Sequence, residues 1–170
     1  LENLPSNGGH WDADLDAVDA WSLGATGEGI IVAILDTGLN IELPEFDGQI
    51  WVNPNEIPAN NIDDDNNGFI DDVNGANTVW LTGDIGDPDG HGTACAGLVV
   101  ARENLALSVG LAKDATVMPV RIFGQGEEGG FVSHAADGIA YAVNHGARVL
   151  SNSWTSGTGK KRLITEAIQL

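Results

Sequence analysis

The sequence predicts an α/β domain: a mostly parallel sheet with helices on both faces, incomplete at its C-terminus. Three observations lead there. Continuous apolar runs at 30–35, 115–123 and 147–153 have the pattern of strands buried on both faces. Segments with helical spacing alternate with them, which implies parallel strands joined by right-handed crossovers. The chain has 170 residues, 42% of them hydrophobic, enough for one domain with a substantial core.

Taken in order, residues 1–12 are a loose polar arm. Residues 14–21 read as a short helix, since Leu15, Val18 and Trp21 recur at helical spacing after an acidic start. A glycine-bounded turn at 24–29 leads into the first strand, which ends against Asp36. Residues 40–90 hold little regular structure but many Asn, Asp, Gly and Pro, and a loop region that long is normally functional. Small and apolar residues from 91 to 101 predict a buried helix. Cys95, the single cysteine, fits there as a small buried residue and has no disulfide partner. After the second strand comes a glycine-rich loop at 124–130. A helix at 133–145 follows, with Ile139 and Val143 on one face and Gly146 as its stop. The third strand precedes a helix that starts near Lys160 and still runs, amphipathic and uncapped, at Leu170. That last feature leads us to expect the front part of a larger domain.

The charge balance removes some functions. There are 25 acidic and 7 basic side chains, a net charge of −18. Such a surface repels nucleic acid and anionic lipid, so neither is expected as a partner. No apolar run reaches the length of about 18 residues that a membrane span needs.

Two motifs carry chemistry. Ile31-Val32-Ala33-Ile34-Leu35-Asp36-Thr37-Gly38 ends a buried strand on a carboxylate, and in parallel sheets sites form at such carboxyl ends. Asp89-Gly90-His91-Gly92-Thr93-Ala94-Cys95-Ala96-Gly97 places an imidazole at a helix start, with Gly92 small enough to let that start approach the sheet. A carboxylate that orients an imidazole is two-thirds of the machinery that activates a hydroxyl nucleophile. The expectation is that Asp36 accepts from one ring nitrogen of His91, leaving the other as a base.

These blocks, with Gly110-Leu111-Ala112-Lys113-Asp114-Ala115 and residues 147–154, resemble the subtilisin-like serine proteases from about residue 20 onward. The resemblance implies a subtilisin-like fold and a secreted endopeptidase acting through Asp, His and Ser in that chain order, with Asp36 and His91 as the first two. It implies substrate walls at Gly129 and Gly130 and at Ser153, Trp154 and Thr155, for an extended peptide or protein. The family's oxyanion asparagine and nucleophilic serine match nothing here. Asn152 and the serines at 151, 153 and 156 belong to the substrate block, so the chain alone is expected to be inactive until joined by the missing part of its domain.

The most charged stretch, 63–72, alternates Asp63, Asp65 and Asn67 before Gly68, like the first half of a calcium loop. The Phe69 carbonyl and Asp71 or Asp72 would complete an all-oxygen shell, which favours Ca2+ over zinc. The bidentate Glu of an EF-hand is missing, with Asn74 in its place. By resemblance, Glu45 and Asn104 would serve a second calcium ion. The competing expectation is a non-catalytic relative that binds calcium or peptide.

Overall fold

The computed structural model describes residues 15–103, 108–124, 132–155, 157 and 161–169. Four parallel strands form one sheet in the order β2-β3-β1-β4. They are β1 (Ile31–Asp36), β2 (Ala76–Asn77), β3 (Thr116–Arg121) and β4 (Val149–Ser151). Their register pairs Ile31 with Thr116 and Asp36 with Arg121. The helices are α1 (Ala17–Ser22), α2 (His91–Val100), α3 (Val132–Asn144) and α4 (Arg162–Ala167), with a 3-10 turn at Pro44–Phe46.

The period-2 geometry of a strand splits the core in two. Val32 and Ile34 of β1 face α2, where Ala96 and Val100 meet them together with Leu39, Phe46 and Val117. Ala33 and Leu35 face the other way, against Met118, Val120, Ala135, Ile139 and Ala142. Both faces of the sheet are therefore covered, as the continuous apolar runs require.

Several elements differ from expectation. Helix α1 is present, but Leu15 and Val18 are 78% and 61% exposed and the helix buries no residue. Its apolar stripe finds no surface among the described residues; Trp21 instead donates its indole N–H to the Leu111 carbonyl. Strand β4 keeps three residues of the predicted 147–153, and α4 covers Arg162–Ala167 within the predicted stretch. The two-residue β2 lies inside the long Asn/Asp-rich segment. Its Asn77 is wholly buried, because the side chain serves the loop: Nδ2 donates to Asp84 O, and Oδ1 accepts from Val79 and Trp80.

Candidate active site

The sheet ends where β1 delivers Asp36, 1% exposed, and α2 begins with His91. The approach of the two elements is set by glycines. A Cβ on Gly92 would collide with the Gly38 carbonyl and lie 3.1 Å from Asp36 Cβ. Gly38 has φ +127 and is pressed against the Gly86 carbonyl, so no L side chain fits there. Across this contact His91 Nδ1 stands 2.7 Å from Asp36 Oδ1. With the carboxylate as acceptor, Nδ1 carries the proton and donates. Asp36 Oδ1 also accepts the Thr37 N–H at 2.7 Å.

This contact fixes the electrostatics of the pair. The hydrogen bond to Asp36, then its charge, raises the His91 pKa above the ordinary histidine value, assisted by Asp89 and Asp87. The imidazole is half exposed, with the Cys95 thiol against it. Cys95 packs against the core on the helix as expected, but it is half-buried rather than buried, with Sγ 3.9 Å from each ring nitrogen of His91. One helical turn after His91 places it under the ring. Among the described residues no serine hydroxyl hydrogen-bonds Nε2.

The chain belongs to the subtilase family. The match to that family spans residues 27–169. The major intracellular serine protease of Bacillus subtilis is 30% identical over 139 residues, 82% of this chain and 38% of that protein. A calcium-dependent protease of Trichormus variabilis is 34% identical over 79% of this chain and 17% of its own length. The crystal structure of fervidolysin from Fervidobacterium pennivorans, a keratinolytic enzyme related to subtilisin, superimposes with a TM-score of 0.62 at 28% identity. That overlap covers 88% of this chain and 20% of fervidolysin's. The chain thus spans well under half the length of these three relatives.

The remaining subtilase blocks take definite places. Ser153 and Thr155 are exposed beyond the end of β4. Trp154 between them is half-buried, donates its indole N–H to Leu35 O at 2.9 Å and meets Phe123 edge-on. It therefore anchors its segment to the core. Asn152 donates to Leu150 O, a local bond. Gly129, Gly130 and Asn104 lie outside the described residues. Glu45 contributes its backbone carbonyl to Arg102 N–H, which ties the 3-10 turn to the end of α2.

The acidic loop sorts its carboxylates into two groups. Asp63 and Asp71 are occupied with turns: Asp63 accepts from Asn67 N–H and Gly68 N–H, Asp71 from Asn60 N–H and Asn61 N–H. Asp65 and Asp72 converge instead, and Glu56 joins them, with one oxygen from each within 4.8 Å of the others. Phe69 gives its N–H to Asn67 Oδ1 and packs its ring on Tyr141. Asn67 Nδ2 and the Tyr141 hydroxyl donate to Asp72 Oδ2. Burial, then the bond to Asp72, pushes the Tyr141 hydroxyl well above its usual pKa, so it remains a donor.

Glu56 is the residue that the sequence reading missed. It is 8% exposed, and burial raises its pKa against the pull of the Asp64 and Asp65 backbone N–H groups. Its signal was faint: one glutamate among the Asn and Pro residues upstream of the aspartates. Two oxygens in this cluster, Glu56 Oε2 and Asp72 Oδ1, are buried and have no hydrogen-bond partner. Unpartnered buried carboxylate oxygens are costly in the absence of a cation.

Proposed function

We propose that this chain is the Asp- and His-bearing part of a calcium-stabilised subtilisin-like serine endopeptidase. The bond between His91 Nδ1 and Asp36 carries the reading. It leaves Nε2 as the base that takes the proton of a serine hydroxyl as its oxygen attacks the scissile carbonyl. The same nitrogen then returns the proton to the leaving amine. Asp36 keeps the imidazole in the useful tautomer and balances the imidazolium. The attacking serine and the oxyanion donor come from residues beyond these 170, so the chain alone does not turn over peptide.

The substrate is an extended peptide or protein segment that pairs with main chain at Ser153–Thr155 on one wall and with Gly129 and Gly130 on the other. For calcium, the donors are Glu56, Asp65 and Asp72, with Asn67 and Tyr141 holding Asp72 in place. Three carboxylates and no soft donor suit a hard divalent cation, and the two orphaned oxygens are the positions such an ion would satisfy. A second ion at Glu45 and Asn104 remains part of the proposal on family resemblance. We place the protein outside the cytoplasm, where free calcium is high enough to fill the site, although its intracellular relative shows the family is not confined there.

A fluorophosphonate probe applied to the full-length protein tests the catalytic reading. Covalent labelling of one serine in full-length protein and none in the 170-residue chain is expected. A full-length protein that never labels favours the second reading, a non-catalytic calcium- or peptide-binding relative. What speaks for that reading is the missing hydroxyl partner of Nε2 among the described residues. Peptide turnover by the 170-residue chain overturns the claim that it is inactive alone.

A further inference from the structure

The structure assigns to Asp87 the placement of His91 against Asp36, an inference that rests on reading those two as the catalytic pair. Asp87 receives four hydrogen bonds from both sides of that contact. Its Oδ1 accepts the Thr37 hydroxyl at 2.8 Å and the Gly90 N–H at 2.9 Å. Its Oδ2 accepts the Thr93 N–H at 2.8 Å and the Thr93 hydroxyl at 2.6 Å. Thr37 directly follows Asp36, while Gly90 and Thr93 bracket His91. The two hydroxyls extend the reach: Thr37 Oγ1 accepts the Gly92 N–H, and Thr93 Oγ1 accepts the Asn40 N–H. One carboxylate thereby fixes the backbone after Asp36 and the first turn of α2 in a common frame.

Helix α2 needs this residue. Gly90 precedes it in a left-handed conformation and supplies no capping side chain. Asp87, three residues earlier, satisfies the first-turn N–H of Thr93 in its place. The group is also held ionised. Burial alone would raise its pKa, but the donors from Thr93, Gly90 and Thr37 outweigh it and bring the pKa below the usual value.

A carboxylate offers about four acceptor sites, and all four are filled here. Asparagine keeps one acceptor oxygen and turns an NH2 toward donors, so it must release either the Thr93 pair or the Thr37 and Gly90 pair, and with either the first turn of α2 loses a hold. Asp36 orients the imidazole ring; Asp87 positions the backbone that carries it.

The test follows the His91 imidazole by NMR in histidine-labelled full-length protein, as its gene encodes it. Wild type is expected to show a low-field Nδ1 proton and a raised His91 pKa. Asp87→Asn is expected to lose that proton signal, with near-UV circular dichroism unchanged; the lost Asp87 charge lowers the His91 pKa by itself, so the proton signal is what decides. Thr93→Val, which removes one hydroxyl and leaves the carboxylate, is expected to broaden the signal, and Thr93→Ser to keep it. If Asp87→Asn does not fold, the Thr93 pair decides. A retained signal in folded Asp87→Asn, or in Thr93→Val, overturns the assignment. So does its loss in the core control Ile139→Val, since any destabilisation would then suffice. The readout needs no turnover, so failure of this placement and failure of the protease reading are told apart. In an active full-length protein, Asp87→Asn should lower kcat about 100-fold with KM little changed, as misplacing a reacting group does.

Discussion

The strand end at Asp36 and the loop around Asp72 each bury a carboxylate almost completely, yet they are built in opposite ways. Asp36 sits between a strand and a helix start, pressed there by two glycines, and its charge meets an imidazole 2.7 Å away. There Oδ1 is paired with the imidazole and the Thr37 N–H, while Oδ2 is buried without a partner. Asp72 sits on a segment with hardly any regular structure, beside Glu56 and Asp65, three acidic groups whose one basic neighbour at ion-pair distance among the described residues is His145, its Nε2 4.0 Å from Asp65 Oδ2. Its order comes from Asn side chains, backbone N–H groups and the Tyr141 hydroxyl. The first site balances its carboxylate with an imidazole, whereas the second gathers three carboxylates, the arrangement on which the calcium proposal rests. Pre-organised pairs belong to the rigid scaffold, and a loop that gathers like charge becomes rigid only when that charge is balanced.

The widest separation between the two regions is expected in activity. Asp36→Asn in the full-length protein should reduce kcat by about 10⁴, the scale for losing the carboxylate of such a pair, with little change in melting temperature. Steady-state kinetics beside a thermal melt check both halves. Excess EDTA should do the reverse to the loop. Loss of an ion present at about 100 times its Kd removes about 2.7 kcal/mol. At about 2–4 °C per kcal/mol for a chain of this size, that lowers the melting temperature by about 5–10 °C. An unchanged melt in EDTA removes the calcium proposal.

A finer cut is Glu56→Gln. It relieves repulsion when the site is empty and weakens the ion when it is filled. The variant should therefore melt higher than wild type in EDTA and lower in calcium, by about 1–2 kcal/mol each way. A shift of the same sign in both buffers breaks the contrast. The smallest effect concerns pH. The folded-state pKa of His91 is raised, so the pair's contribution to stability is fully present below the ordinary histidine pKa. It fades as pH rises through the raised value. Because the base must be neutral to work, the acid limb of activity in the full-length protein should lie above that of an unperturbed histidine. Asp36→Asn should move the His91 pKa, followed by NMR, back down.

Much of this was legible in the chain. The apolar run ending at Asp36 and the small-residue run after His91 each satisfy one local rule, so their type and place were readable. Their contact was expected too, from the small size of Gly92 and the residues after it and from the family resemblance. Helix α1 shows the limit. Its periodicity is genuine, but periodicity specifies an apolar face and not whether anything covers it.

The acidic loop shows the same limit from the other side. Alternation marked Asp63, Asp65, Asn67 and the Asp71–Asp72 pair as one group, yet the backbone sends Asp63 and Asp71 to cap turns and brings in Glu56 from upstream. Sequence by itself determined the parallel sheet, the family, and the acid and imidazole at the carboxyl end of its strands, since hydrophobic period and residue chemistry are local properties. Only the tertiary structure decided which carboxylates share a burial site, that Cys95 lies under the imidazole, and that Asp87 spans both sides of the pair. Those are distances between segments far apart in the chain, and they are fixed by packing.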